Sequence, residues 1–161
     1  MGMVTGTVTA VRISHRKIDR SPPTLGWLPS KRPIVMYSDK IMDHVANPRN
    51  IGIIEDANVV VKAGDPECGD GLLIFLKIED ERIVDYKYKI FGCGAAIATS
   101  SIASEMAMGK TLDEILKITP EGIAAALDGL PEEKMHCSNL AAGALHSAVR
   151  HFRAKSGEAE T

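Results

Sequence analysis

The way hydrophobic periodicity changes along this 161-residue chain predicts an α+β fold, a three-stranded antiparallel sheet packed by helices. Three observations carry that expectation. A short amphipathic helix comes first, three strand-like runs follow it, and beyond residue 93 every apolar spacing is helical. A hydrophobic content of 45% and this length suit one domain with a sizeable core.

Each element has its own signal. Ser38 is placed to cap a helix carrying Ile41, Met42 and Val45, which must end near Asn47-Pro48 because a residue before proline disfavours helix. The first strand is expected over Asn58–Lys62, around Val59-Val60-Val61, and the second over Leu72–Ile78. Ile83–Ile90 alternates, with Val84, Tyr86, Tyr88 and Ile90 on one face and Asp85, Lys87 and Lys89 on the other; Glu79–Arg82 supplies the hairpin turn before it. The paired tyrosines read as sheet packing. Ala95–Met108 is an Ala/Ser-rich helix stopping at Gly109. Thr111-Leu112-Asp113-Glu114 has capping-box form and opens a helix through Lys117. Thr119-Pro120 places a cap and then a first-turn proline before Ile123–Leu127. Ser138 or Asn139 is expected to cap a last helix with Leu140, Ala144, Leu145, Ala148 and Phe152 on one stripe.

Residues 1–35 stand apart. They hold six Lys or Arg against one Asp, whereas the rest of the chain holds 13 basic and 20 acidic groups. Prolines at 22, 23, 29 and 33 interrupt any helix there. An Arg-rich, acid-poor start suggests an organellar transit segment, but Val4–Thr9 alternates in β fashion where such a segment needs an amphipathic helix. An over-long start or an appended extension fits better, expected to be mobile unless it docks. The domain is expected over 36–155, with 156–161 as a tail. Its acidic charge argues against nucleic acid as the main partner, and no apolar run nears the ~18 residues of a membrane span.

The three cysteines carry the chemistry. Cys68 lies in Glu67-Cys68-Gly69-Asp70, Cys93 in Phe91-Gly92-Cys93-Gly94, and Cys137 directly after His136. Three cysteines cannot all pair within one chain, so reduced thiols in a cytoplasmic compartment are expected. A thiolate is both a sulfur nucleophile and the soft ligand that favours zinc and iron–sulfur clusters. Cys93 and Cys137 are expected at helix starts, where free N–H groups and the helix dipole stabilise a thiolate. The gaps along the chain, 25 and then 44 residues, exclude a zinc knuckle or a C-x-x-C pair. With Asp70 or His136, three thiolates make four ligands. His44, His146 and His151 read as structural or surface residues.

From Met36 to about Lys155 the chain resembles the IscU-type iron–sulfur cluster assembly scaffolds, the family that includes the amino-terminal domain of NifU. The matching stretches include Tyr37-Ser38-Asp39-Lys40, Asn47-Pro48-Arg49-Asn50-Ile51-Gly52, Cys68-Gly69-Asp70, Phe91-Gly92-Cys93-Gly94-Ala95-Ala96 and Lys134-Met135-His136-Cys137-Ser138. The resemblance implies a scaffold and carrier, not a turnover enzyme, on which a [2Fe–2S] cluster is built from iron and sulfur and passed to apo-proteins. The sulfur would come as a persulfide from a pyridoxal-phosphate cysteine desulfurase, with two scaffolds on one desulfurase dimer. By motif position, Cys68, Cys93 and Cys137 would be the cluster ligands, Asp70 and His136 fourth ligands, and Lys134 an accessory group. Leu130-Pro131-Glu132-Glu133-Lys134 departs from the Leu-Pro-Pro-Val-Lys that serves Hsp70-type chaperones, which argues against such a partner. A rival expectation is a zinc-binding sulfur acceptor of the SufU type. Against it stand His136 and the short spacing between Cys93 and Cys137, which leaves little room for the SufU-type insertion.

Overall fold

A computed structural model describes residues 36–65 and 69–157. The expectations for 1–35, for Cys68 and for the end of the tail lie outside the described residues.

The order is helix α1 (Asp39–Ala46), strands β1 (Val59–Asp65), β2 (Asp70–Glu79) and β3 (Arg82–Phe91), then α2 (Gly94–Ala107), α3 (Leu112–Leu116), α4 (Pro120–Ala126), a 3-10 turn (Glu132–Lys134) and α5 (Met135–Ser156). The sheet is antiparallel, as the periodicity predicts, and its strand order is β1-β2-β3. The hairpin between β2 and β3 turns on Asp80 and Glu81, both at positive φ, which matches the twist of paired strands.

Leu72, Ile74, Leu76 and Ile78 point from β2 into the core, and the helices cover that face. On the opposite face Leu73 and Phe75 are half-buried and Val60 is exposed. One expectation for β3 fails. Ile83 is buried and Val84 exposed, because a bulge between Lys77 and Ile78 shifts the register at the start of β3. Tyr86 and Tyr88 are buried edge to face in the core, so neither offers a base-stacking surface.

α1 begins where Ser38 Oγ accepts the Ile41 N–H at 3.1 Å. It carries Ile41, Met42 and Val45 as expected; its buried positions are Ile41 and His44, while Met42 faces outward. The His44 ring meets Ser101 Oγ at 2.7 Å, and the same oxygen accepts the Arg49 N–H at 2.9 Å. These bonds tie α1 and the following segment to α2. α2 is lined with Ala, Ser and Thr, and ten of its residues are buried. Small side chains let its neighbours approach closely on several sides. The capping box at Thr111 and the Thr119-Pro120 start both form as the sequence predicts.

α5 departs from expectation at its start. The 3-10 turn runs directly into it, so the helix opens at Met135 and not after Ser138. Cys137 therefore lies inside the first turn. Ser138 is fully buried instead of capping, and the helix ends at Gly157, left-handed at φ 74°.

Candidate metal centre

The β2–β3 register sets Gly71 opposite Phe91, which brings Asp70 beside Gly92 and Cys93. Cys93 is the N-cap of α2, with extended φ and ψ and no side-chain cap. Its N–H donates to Asp70 Oδ1 at 3.3 Å. Gly92 makes that approach possible. A Cβ at Gly92 would stand 2.5 Å from Asp70 Oδ1 and 3.0 Å from the Ala96 Cβ.

α5 delivers the other half of the site. Thr99 Oγ1, on α2, donates to Cys137 O at 3.3 Å and to Ala96 O at 3.1 Å, fixing the first turn of α5 against α2. Ala95, Ala96 and Cys137 form a small buried cluster, with Cys93, Tyr37, Ile90 and Leu130 packed against it. Cys137 Sγ lies 3.9 Å from Cys93 Sγ, 3.7 Å from Asp70 Oδ2 and 3.4 Å from His136 Nε2. Ligand atoms of Asp70, His136 and Cys137 all fall within 4.8 Å of one another. Carboxylate, imidazole and thiol within that radius match the donor sets of zinc and iron sites.

Of the residues the sequence singles out, the structure brings together Asp70, Cys93, His136 and Cys137. Lys134 reaches the same place, lining with Gly69, Asp70 and Cys93 a cleft of about 520 Å³ that opens from the centre to solvent. Cys68 precedes Gly69 in the connection from β1 to β2 and lies outside the described residues. Asp70 is only 4% exposed and Cys137 only 1%, whereas Cys93 is half-buried.

The environment of Cys137 corrects one expectation. A helix start was expected to favour its thiolate, yet burial first, and then Cys93 and Asp70, push the Cys137 thiol well above its ordinary value. Both effects favour the protonated thiol in the metal-free protein. Two further participants escape the sequence reading. Tyr37 packs on the cluster; burial pushes its hydroxyl up, Lys134 opposes that, and Cys93, Cys137 and Glu133 add to it. Gly92 is the other. Its glycine-before-cysteine context was the available signal, and the close approach it permits is that of Asp70. The remaining histidines among the described residues are structural or surface groups: His44 is buried on Ser101, His146 bonds Ile118 O at 2.9 Å, and His151 is exposed. No helix among the described residues is long and apolar enough to cross a membrane.

Residues 36–159 match the family model of the NifU-like N-terminal domain. An iron–sulfur cluster assembly scaffold protein IscU of Archaeoglobus fulgidus is 58% identical over 123 residues, covering 76% of this chain and 80% of that protein. The IscU scaffold of Haemophilus influenzae is 43% identical, covering 75% of this chain and 98% of its own. Among solved structures, a candidate iron–sulfur cluster assembly scaffold for the SUF system from Fervidobacterium islandicum superposes with a TM-score of 0.61 at 25% identity. That match covers 70% of this chain and 96% of the other.

Proposed function

The chain belongs to the NifU-like N-terminal domain family and is a scaffold for iron–sulfur cluster assembly, and we propose that the centre described above is where its cargo is built. The observation that carries this reading is the meeting of Cys93, Cys137 and Asp70, with His136 beside Cys137 and Lys134 lining the cleft that opens at Asp70 and Cys93. Cys68, Cys93 and Cys137 hold the iron of a [2Fe–2S] cargo, and Asp70 or His136 completes the set. A permanent ferredoxin uses four thiolates. Exchanging one for a carboxylate or imidazole gives a site that lets its cargo go.

Sulfur enters at the same thiols. A scaffold thiolate attacks the outer sulfur of a desulfurase persulfide, forming a new S–S bond while the desulfurase cysteine leaves as its thiolate. Conversion of that sulfur to sulfide takes two electrons from an external donor. Lys134, on the rim, offsets the negative charge that the thiolates and carboxylate accumulate. The protein acts as acceptor and carrier, not as a turnover enzyme. Its partners are a pyridoxal-phosphate cysteine desulfurase, one scaffold per subunit of the dimer, and apo iron–sulfur proteins. An Hsp70-type chaperone would meet the exposed acids Glu132 and Glu133. Three cysteines that cannot all pair within one chain favour a reducing compartment such as the cytoplasm. The functional unit spans 36–155, with 1–35 and 156–161 as appendages.

The second reading is a zinc-bound sulfur acceptor, favoured by the mixed donor set of Asp70, His136 and Cys137. Anaerobic reconstitution with iron, cysteine and a desulfurase separates the two. A red-brown protein with [2Fe–2S] Mössbauer parameters, lost in Cys93→Ser and Cys137→Ser, is expected. A colourless protein that retains zinc through the same treatment would contradict the cluster reading.

A further inference from the structure

Strand β1 pairs with β2 alone, so its outer edge has no strand partner among the described residues. Such an edge presents a row of backbone N–H and C=O groups that templates an added strand. Along this edge lies a cleft of about 500 Å³. Residues 61–64 form one wall, and His136, Asn139, Gly143, Ser147 and Arg150 of α5 form the other. Successive strand residues point to opposite faces. A cleft that touches four in a row follows the backbone edge and not a sheet face. The α5 residues recur every three or four positions, a single helical stripe about 20 Å long. Gly143 keeps that wall bare, since a Cβ built there would have no atom within 4 Å.

Charge selects the occupant. The chain beyond residue 35 is acidic, with 13 basic against 20 acidic groups. The described residues lining this cleft nevertheless include Lys62 and Arg150 and no carboxylate. Neither cation makes an ion pair among the described residues, and Arg150 donates only to Ser147 Oγ, at 3.3 Å. A second copy of this chain is a poor fit. Antiparallel pairing of two β1 edges about Lys62 would set ammonium against ammonium.

We propose that β1 and α5 form a docking groove for an extended acidic segment of a partner protein, which adds a strand to the sheet edge with carboxylates on Lys62 and Arg150. One end of the groove is His136, 3.4 Å from Cys137 Sγ, so the docked segment leads its owner to the metal centre. Backbone pairing supplies the affinity, and the two cations select the sequence.

The test uses the full-length, metal-free protein labelled with ¹⁵N and a short peptide alternating glutamate and valine. A lysine–valine peptide and a backbone N-methylated glutamate–valine peptide are the controls. Expected are amide shifts along β1 and the α5 stripe, slowed hydrogen exchange in β1, and affinity that falls with salt. The exposed-site double variant Lys62→Glu/Arg150→Glu should bind roughly fivefold to tenfold more weakly, and the N-methylated peptide should not bind. Equal binding of the lysine peptide, undiminished binding of the N-methylated one, shifts confined to another surface, or self-association in place of peptide binding would each overturn the proposal. No metal enters the assay, so its failure leaves the cluster reading intact, and failed cluster reconstitution leaves this result intact.

Discussion

Gly92→Ala tests whether the missing side chain at 92 exists to admit the Asp70 carboxylate. Gly92 is not among the residues at positive φ, so alanine meets no backbone strain and the cost falls on the contact. The new Cβ would lie 2.5 Å from Asp70 Oδ1 and 2.9 Å from its Cγ. Reaching an ordinary contact takes a retreat of roughly 0.7 Å or more. Asp70 is 4% exposed, with Cys93 N–H and Cys137 Sγ on either side, so that movement sacrifices the 3.3 Å bond from Cys93. Overpacking costs about 1–3 kcal/mol and a hydrogen bond to a charged group about 1.5–3. Because this bond is long, we expect a total near the low end, about 2 kcal/mol, or a Tm lower by roughly 5–10 °C. The decisive assay is a double-mutant cycle by urea unfolding of the metal-free protein. In the Asp70→Ala background the carboxylate is gone and only the 3.0 Å Ala96 contact remains, so Gly92→Ala should cost little there. The expected coupling is about 1–2 kcal/mol. Additive effects would refute the reasoning.

Asp70→Ala in the loaded scaffold should slow transfer to an apo-ferredoxin and lengthen cluster survival in air; equal or faster transfer, followed by circular dichroism of the acceptor, would count against the carboxylate as the weak ligand. Stability of the metal-free protein should fall as pH rises above about 9, because the folded state holds the Cys137 proton beyond the ordinary thiol value of 9.0. Burial also pushes Tyr88 up to about 12 from 10.0, so Cys137→Ser should remove the first part of that decline and leave the later part, as urea unfolding at stepped pH can show. Size-exclusion light scattering of a desulfurase mixture should give equal numbers of the two chains, and a stable complex with one scaffold per dimer would contradict a separate acceptor for each active site.

Fold class, the three strands and every α-helix except the start of α5 were legible because local rules and tertiary packing agree: Ser38, Thr111 and Thr119 cap where their side chains can, and β2 alternates where one face is buried. What was not legible shares a cause. Val84 and Ile83 exchange faces at a bulge, a feature of pairing between strands that neither strand's pattern encodes. His44 is buried in place of Met42 because Ser101, 57 residues away, offers its ring a partner. α5 begins early because the 3-10 turn feeds it directly, and no cap is needed there. Site residues were legible by type: a cysteine beside glycine or histidine announces metal chemistry. Their neighbours were not. Gly92 and Tyr37 matter through contacts made only after β3 meets β2 and the chain before α1 reaches α5.

Without bound cargo the centre would be electrostatically unbalanced, and that imbalance would connect binding with release. Cys93 and Asp70 lie 3.9 and 3.7 Å from Cys137. Like charges at such distances repel by about 4 kcal/mol per pair at an effective dielectric of 20. Two thiolates and a carboxylate cannot all be ionised there alone, so the metal-free site keeps a proton on Cys137. If Cys93, Asp70 and Cys137 hold iron as proposed, ferrous or ferric cargo would supply the missing positive charge and displace that proton, so metal affinity is expected to rise with pH. On the proposed reading, once an acceptor's thiolates competed for the iron, Cys137 would regain a proton and the Asp70 carboxylate would accept from the Cys93 N–H as it does here. A fourth thiolate in place of Asp70 would bind cargo more tightly but would give up this proton-coupled route to letting it go.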